Sequence, residues 1–440
     1  MSEHKLVRAI GRWDFTAIVV NTIIGAGIFG LPAKVYAQIG AWSLLAFVAC
    51  TLVIGLVVLA HAEVSSRFSA TGGPYLYARE AYGPVVGFEV GWLFWIVRLT
   101  TFAANCNLFV TYLGFFVPGA NEGAARIALI GGVVLLLTTV NFVGIRHSAV
   151  MTNFLTAGKV IPLLIFAGVG MFFIQPANFD FTVLPEYTSF STAVLLLIYA
   201  FVGFEAAVVL SGETQEPERT VPFGTLVALG SCSVLYLLVQ IVSIGTLPDL
   251  ASSERPIADA AALFLGVFGA AFITIGALIS ILGNLNAGVL ASTRILFAMS
   301  EQKQLPAVLS RTHVRFKTPT ISILLTAVVM FLLAVQSSFL TALTLATITR
   351  LIVYASTCFA LPLFRARKDL PPPAFAAPLG KTVAALSIAL ILWLLSNVDF
   401  TKEGLPLIVA AIVGLLVFIL FRTLRKSELD DRENRLPEKV

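Results

Sequence analysis

The sequence contains little charge and few of the residues that build enzyme or metal centres. Only 12% of its 440 residues are charged, whereas soluble domains carry roughly 25%. The four histidines and four cysteines are scattered, and neither a disulfide framework nor a metal-ligand spacing connects them. No glycine-rich phosphate loop with the spacing used by ATPases is present. We therefore expect no metal, no cofactor and no ATP-driven step.

Long apolar segments are what the chain has in abundance. Hydrophobic residues make up 58% of it, and the mean hydropathy is +0.93. Segments of about 20 apolar residues recur along nearly the whole length, and each is long enough to cross the hydrocarbon core of a bilayer. Because they are continuously apolar and do not alternate with polar residues, they predict helices rather than the strands of a barrel. The sequence therefore predicts an all-α polytopic membrane protein.

Twelve transmembrane helices are predicted. We expect them at 13–36, 42–66, 84–116, 126–146, 149–174, 190–212, 223–247, 261–300, 319–336, 339–364, 375–397 and 404–423. Most of the 29 lysines and arginines then fall on one side, which places both termini in the cytoplasm by the positive-inside rule. The cations are spread over short loops and not gathered on one face, so no nucleic-acid partner is expected. We expect these helices to lie in the lipid bilayer.

The first predicted span contains three glycines within six residues, in the segment Asn21–Gly30. Glycine costs about 1 kcal/mol relative to alanine inside a helix. In lipid, a broken helix also leaves N–H and C=O groups that need partners, so breaks are found where the backbone lines a cavity or a site. The pattern predicts a binding site near the middle of the bilayer.

A second break is predicted in the sixth span, where Gly203 is followed by Glu205. A carboxylate at that depth is costly unless it is paired or faces water. The two breaks are five spans apart. Because five is an odd number, the second half enters the membrane with the opposite orientation. Matched breaks in two inverted halves are typical of secondary transporters. The alternative is that Gly203 only permits close packing of helices.

Four motifs resemble those of the amino acid–polyamine–organocation superfamily of transporters, and the resemblance extends over Arg12–Arg425. In chain order they are Gly25–Phe29; Ala62–Gly83; Phe201–Glu205 with Glu213 and Pro217–Pro222; and Ser292–Ser300 with Leu305 and Pro306. The resemblance implies a LeuT-type fold of two inverted repeats of five helices, with helices 1 and 6 broken. The repeats would be residues 13–174 and 190–364, followed by peripheral helices in 375–423, with cytoplasmic tails at 1–12 and 424–440.

The function that the resemblance implies is secondary active transport of amino acids across the plasma (inner) membrane by alternating access. We favour proton-coupled uptake of a neutral or small α-amino acid. Sodium-independent exchange of amino acids or amines is the alternative. A membrane-embedded enzyme would need a nucleophile–base or metal constellation, and a channel would need a continuous polar stripe; the sequence supports neither. The oligomeric state stays open.

The expected substrate site uses the peptide groups at the two breaks. The amides of Ala26, Gly27 and Ile28 at a helix N-terminus would bind the α-carboxylate. The resemblance implies that the ammonium group is bound by carbonyls and that aromatic rings line the side-chain pocket. The carbonyls are those of Ile23, Ile24, Phe201 and Val202, and the rings are those of Tyr199, Phe201 and Phe204. The family more often has serine or threonine where Ala26 stands, so a hydroxyl is missing here. Simple packing is the alternative role for Tyr199 and Phe204.

Lys159 lies about ten residues inside the fifth span. A buried ammonium is expensive and can lose its proton. In several members of the superfamily a lysine of this span occupies the position that sodium has in related transporters. The resemblance implies the carbonyls of Asn21 and Ile24 as its partners, together with Ser280 and Asn284. Lys159 would then couple transport to protons; the alternatives are a permanently charged lysine in an exchanger and an amine that extends to the membrane surface.

Three more charged residues lie within the predicted spans. Arg98 is near the middle of the third span and can pair with Glu205, contact an anionic substrate group, or line a water-filled path. Arginine keeps its proton, so it is no proton carrier. For Glu205, three roles remain open: proton relay, partner of an ammonium or of Arg98, and structural carboxylate. Arg350, in the tenth span, is expected to be structural.

Overall fold

The computed structural model describes residues 10–68, 73–143, 149–208, 214–316, 318–369 and 372–433, and within these it leaves the side chains of 149–155, 400 and 424–433 undescribed. Several sequence features therefore lie outside the described residues. These are most of the N-terminal tail, residues 69–72 of the second motif, Glu213, and residues 434–440 of the C-terminal tail.

Fifteen α-helices form in the described residues. They are α1 (Arg12–Ile23), α2 (Ala26–Ile39), α3 (Ser43–Ser65), α4 (Gly73–Tyr82), α5 (Pro84–Leu113), α6 (Gly123–Val143), α7 (Ala149–Gly170), α8 (Tyr187–Phe201), α9 (Phe204–Val208), α10 (Pro217–Thr246), α11 (Pro256–Glu301), α12 (Thr320–Gln336), α13 (Phe339–Ala366), α14 (Gly380–Leu395) and α15 (Leu405–Glu433). One isolated backbone bridge joins Ile10 to Thr214.

The helices agree with a multi-pass membrane protein. Nine candidate spans in the described part of the chain are long and apolar enough to cross a bilayer, and α12 and α14 are shorter apolar helices. Three differences from the sequence-based expectations are clear. The short helix α4 was not predicted, α10 begins at Pro217, and α11 begins at Pro256 with a kink at Gly266. The helical class is confirmed, while the count of twelve spans and their inverted symmetry stay predictions.

The first span is interrupted between α1 and α2. Ile24 has an extended backbone with ψ of 95°, and Gly25 lies outside the helical region at φ −123° and ψ −144°. The second interruption separates α8 from α9, where Val202 is extended at ψ 167° and Gly203 has φ of +120°. Only glycine adopts such a φ without strain. Both breaks lie where the glycine pattern predicts them.

The two interruptions touch each other. A Cβ atom built on Gly203 would overlap the carbonyl oxygen of Thr22 and lie 2.7 Å from its carbon. A Cβ built on Gly27 would lie 2.6 Å from Cα of Ala200. The backbones of α1–α2 and α8–α9 therefore meet without side chains between them. This close approach is what brings free peptide groups from two separate spans to one place.

Replacing Gly203 by alanine tests this contact. We expect the variant to lose roughly 1–3 kcal/mol from backbone strain alone, and more from the overlap with Thr22, so its thermal unfolding in detergent should occur at a clearly lower temperature. Gly55→Ala is the matched control, because Gly55 lies in α3 with open space around its added Cβ. Equal melting temperatures for the two variants would contradict the described contact.

Candidate functional site

A central cavity lies beside the two interruptions. Its lining comes from the breaks and from α5, α11 and α13, and consists of Thr22, Ile23, Gly25, Ala26, Gly27, Arg98, Thr101, Phe102, Asn105, Tyr199, Val202, Gly203, Ala206, Asn284, Ala287, Gly288 and Arg350. The cavity measures about 60 Å³, whereas a single water molecule needs at least roughly 10–15 Å³ of such space. Any ligand that fits without rearrangement is therefore small.

The start of α2 supplies the backbone amides that are expected to bind a substrate carboxylate. Ala26 and Gly27 line the cavity, and the first N–H groups of a helix have no partner within the helix itself. The positive end of the helix dipole adds to their attraction for an anion. Ile28 is fully buried but lies outside the lining. The peptide groups suited to a carboxylate are thus at the cavity, in the place the sequence predicts.

The carbonyl groups expected for an ammonium are partly occupied by protein donors. The carbonyl oxygen of Ile24 accepts hydrogen bonds from Lys159 at 3.0 Å, Ser280 at 3.3 Å and Asn284 at 3.5 Å. That of Ile23 accepts one from the Tyr236 hydroxyl at 3.1 Å. A carbonyl oxygen has two lone pairs, so Ile24 has none to spare. Ile23 and Val202, which both line the cavity, are the better candidates for binding an ammonium group.

Lys159 is fully buried in α7 and points at the first interruption. Its amine donates hydrogen bonds at 3.0 Å to the carbonyl oxygens of Asn21 and Ile24. No carboxylate among the described residues lies within ion-pair distance of it, and its titratable neighbour is Cys232 of α10. The structure therefore brings Lys159, Asn21, Ile24, Ser280 and Asn284 together. An ammonium held by carbonyls resembles a bound monovalent cation in its coordination.

Glu205, at the start of α9, is the centre of a buried charged cluster. Its Oε1 lies 3.4 Å from Nη2 of Arg98 and 3.2 Å from Nε of Arg350. Its Oε2 accepts hydrogen bonds at 2.9 Å from the Tyr354 hydroxyl and from the Gly203 amide. The carboxylate thus ties the second interruption to α5 and α13. Arg98 thus contacts Glu205, and it also lines the cavity.

Tyr199 lies at the cavity, but the other two predicted rings do not. The Tyr199 hydroxyl donates to Asn105 Oδ1 at 2.6 Å. Phe201 instead packs against Phe47 and Tyr236. The ring of Phe204 lies tilted against Tyr354 and meets His61 edge to face.

The expectation that Phe201 and Phe204 line the pocket is therefore not met. The unwound backbone between α8 and α9 turns these two side chains into the protein interior. Their peptide groups still border the second interruption.

Sequence reasoning missed Arg350 and Tyr354 as parts of the site. Arg350 lines the cavity, donates to the Thr101 hydroxyl at 3.1 Å and is only 1% exposed. An arginine within an apolar span is a signal of function in itself. No pattern in the sequence, however, predicts that α13 packs against the interruption at Gly203. Among the described residues, no group of three or more histidine, cysteine or acidic side chains could hold a metal ion.

The sequence profile of the amino acid permease family matches residues 10–421. The chain belongs to the amino acid permease family. It is accordingly a membrane transporter and not an enzyme, and amino acids are the substrate class of its family. The resemblance inferred from the four motifs is confirmed.

Three curated relatives align with this permease over nearly their whole length. The methylthioribose transporter of Bacillus subtilis is 27% identical, with 95% of this chain and 94% of the relative covered. The serine/threonine exchanger of the same organism is 29% identical, with 94% and 97% covered. The arginine/agmatine antiporter of Chlamydia pneumoniae is 28% identical, with 96% and 90% covered. Their substrates differ widely in charge, so similarity alone does not assign a substrate.

The Glu205→Gln variant tests the charged cluster. It leaves two buried guanidinium groups without their counter-ion, and removing one partner of a buried ion pair costs roughly 3–5 kcal/mol. We expect a marked fall in the melting temperature of the purified permease. Glu216→Gln is the control, because the Glu216–Arg219 pair is about three-quarters exposed and exposed pairs contribute little. A Glu205 variant as stable as the control would show that the cluster carries no net stabilisation.

Proposed function

We propose that this permease is a secondary active transporter that carries a neutral or small α-amino acid across the plasma (inner) membrane by alternating access. The observation that supports it most is the pair of interrupted helices whose backbones meet at the central cavity. Peptide groups from both interruptions are available there, and helix interruptions of this kind are used by transporters to bind substrates and ions.

The architecture that we propose is the LeuT-type one. The two interruptions are five predicted spans apart, and they lie side by side. Residues 13–174 and 190–364 would form inverted repeats of five helices, with two peripheral helices in 375–423. Rocking of one helix bundle against the other would open the cavity to each side in turn. Both termini would be cytoplasmic, since most lysines and arginines lie on that side in this topology.

The binding mode follows from the charges of a zwitterion. The amides at the start of α2 suit the α-carboxylate. The carbonyl groups of Ile23 and Val202 border the cavity and suit the ammonium group. The small cavity favours a small side chain, and Tyr199 and Phe102 supply apolar contacts at its wall.

Coupling to protons is proposed to act through Lys159. The protonated amine donates to two carbonyl groups of the first interruption, so loss of the proton would weaken its hold on that segment. No described carboxylate forms an ion pair with it, and its titratable neighbour is Cys232. Protonation would thereby favour one arrangement of α1 and α2 over another.

Exchange without a net proton flux is the second candidate. Two of the relatives are described as an exchanger and an antiporter, which favours it. In that case Lys159 would stay charged through the whole cycle and would act only as a fixed link to α1.

A binding screen tests the proposed substrate class. Purified permease is heated in the presence of single amino acids, polyamines and methylthioribose. A true ligand stabilises the folded state by RT ln(1 + [L]/Kd), which is about 2.7 kcal/mol at a hundredfold excess over Kd. We expect stabilisation by a small group of amino acids. Stabilisation by methylthioribose alone would contradict amino acid transport.

The Lys159→Ala variant tests the coupling. In proteoliposomes with an acidic exterior, we expect the unmodified permease to accumulate substrate and the variant to show no response to the pH gradient. Lys402→Ala is the control, because the Lys402 side chain is 82% exposed. Uptake by the Lys159 variant that still follows the pH gradient would contradict the coupling role, and gradient-independent counterflow by the unmodified permease would favour exchange.

A further inference from the structure

The central cavity carries more positive than negative charge. Arg98 from α5 and Arg350 from α13 both line it, and the guanidinium group is the cationic group of arginine in proteins. The acid that touches both is Glu205. None of the described residues lining the cavity is an aspartate or glutamate. Two guanidinium groups therefore share one carboxylate, which leaves one positive charge without a counter-ion.

Glu205 is engaged by the protein and does not line the cavity. It accepts three hydrogen bonds, from Arg98 at one oxygen and from Tyr354 and the Gly203 amide at the other. Nε of Arg350 adds an ion-pair contact at 3.2 Å without a hydrogen bond. A cationic side chain in the cavity would therefore meet two arginines and no acid among the described lining residues.

Both arginines also hold buried N–H groups without an acceptor. Nε of Arg98 and both Nε and Nη1 of Arg350 have no hydrogen-bond partner among the described residues. The two side chains are only 7% and 1% exposed, so bulk water does not compensate. Buried charged donors left unsatisfied are strongly unfavourable. The uncompensated positive charge and the unpaired donors thus occur on the same two side chains.

We propose that the ligand of this cavity is a small α-amino acid with a carboxylate side chain, of the aspartate or glutamate type. Its side-chain carboxylate would bind at Arg98 and Arg350, since guanidinium groups bind carboxylates with paired hydrogen bonds. Its α-carboxylate and ammonium groups would remain at the two helix interruptions. This inference rests on the proposed function, keeps the small α-amino acid as substrate, and assigns it an acidic side chain in place of a neutral one.

Isosteric pairs of amino acids test the charge requirement. Binding of L-aspartate is compared with L-asparagine, and L-glutamate with L-glutamine, by thermal shift on the full-length permease and by uptake into proteoliposomes. Within each pair, size is matched and only the charge differs. We expect the acid to bind about 30-fold or more tightly than its amide, as is typical when one partner of a desolvated charge pair is lost.

The Arg98→Gln variant tests whether the preference for aspartate over asparagine arises at the cavity. Glu205 keeps Arg350 as its ion-pair partner in this variant, so the fold retains a neutral pair. We expect aspartate affinity to fall about 30-fold, asparagine affinity to change less than about threefold, and Arg98→Lys to restore part of the preference. Arg219→Gln is the control, because its side chain is 73% exposed and lies outside the cavity lining.

The outcomes separate this inference from the proposed function. Equal binding of asparagine and aspartate would overturn the charge requirement while amino acid transport stood. A preference for aspartate that survives both Arg98→Gln and Arg350→Gln would overturn the assignment to these arginines. Tighter binding of neutral amino acids in chloride than in gluconate would show that an inorganic anion supplies the missing charge. Failure of every amino acid to bind would remove the proposed function itself.

Discussion

The backbone contact between the two interrupted spans is the constraint on which the rest of the site depends. At this contact, Gly203 lies against the carbonyl group of Thr22, and Gly27 lies against Ala200. No side chain larger than hydrogen fits at either glycine without displacement. Because the helices stop here, peptide groups that would otherwise be bonded within a helix face a cavity in the interior of an apolar protein. Such groups need partners, and a zwitterionic ligand has both a donor and an acceptor end to offer.

The protein surrounds these peptide groups with three buried cations and one buried acid. Lys159 is bound to the first interruption through two carbonyl groups, whereas Glu205 is bound to the second through the Gly203 amide. Arg98 and Arg350 connect Glu205 to α5 and α13. Each interruption is thus attached by a charged side chain to helices outside it. A change in charge or in ligand occupancy at the cavity acts directly on the segments that alternating access would have to move.

The sequence was sufficient for the helical class and the two interruptions. Glycine at 25, 27 and 203 is a local signal, because it marks backbone that a helix does not accommodate. The four partners expected for Lys159 came from the resemblance and not from spacing. The amine donates to Asn21 and Ile24, whereas Ser280 and Asn284 donate to the Ile24 carbonyl and not to Lys159. The role of these residues in coupling stays a prediction.

Other features of the site could not be predicted because they depend on how distant helices pack. Arg350 and Tyr354 contact Glu205 although about 150 residues of sequence separate them, and no local pattern predicts that contact. The positions of Phe201 and Phe204 depend on the local rotation of an unwound segment, which periodicity does not describe. The carbonyl of Ile24 was expected to bind substrate, but its lone pairs are used by Lys159, Ser280 and Asn284.

An electron cryo-microscopy structure of the purified permease with a saturating amino acid ligand would test the central claim most directly. The account predicts ligand density in the cavity, in contact with the backbone of residues 25–27 and 202–203, with both spans interrupted at these positions. Continuous helices through residues 12–39 or 187–208, or a ligand bound away from both interruptions, would contradict it.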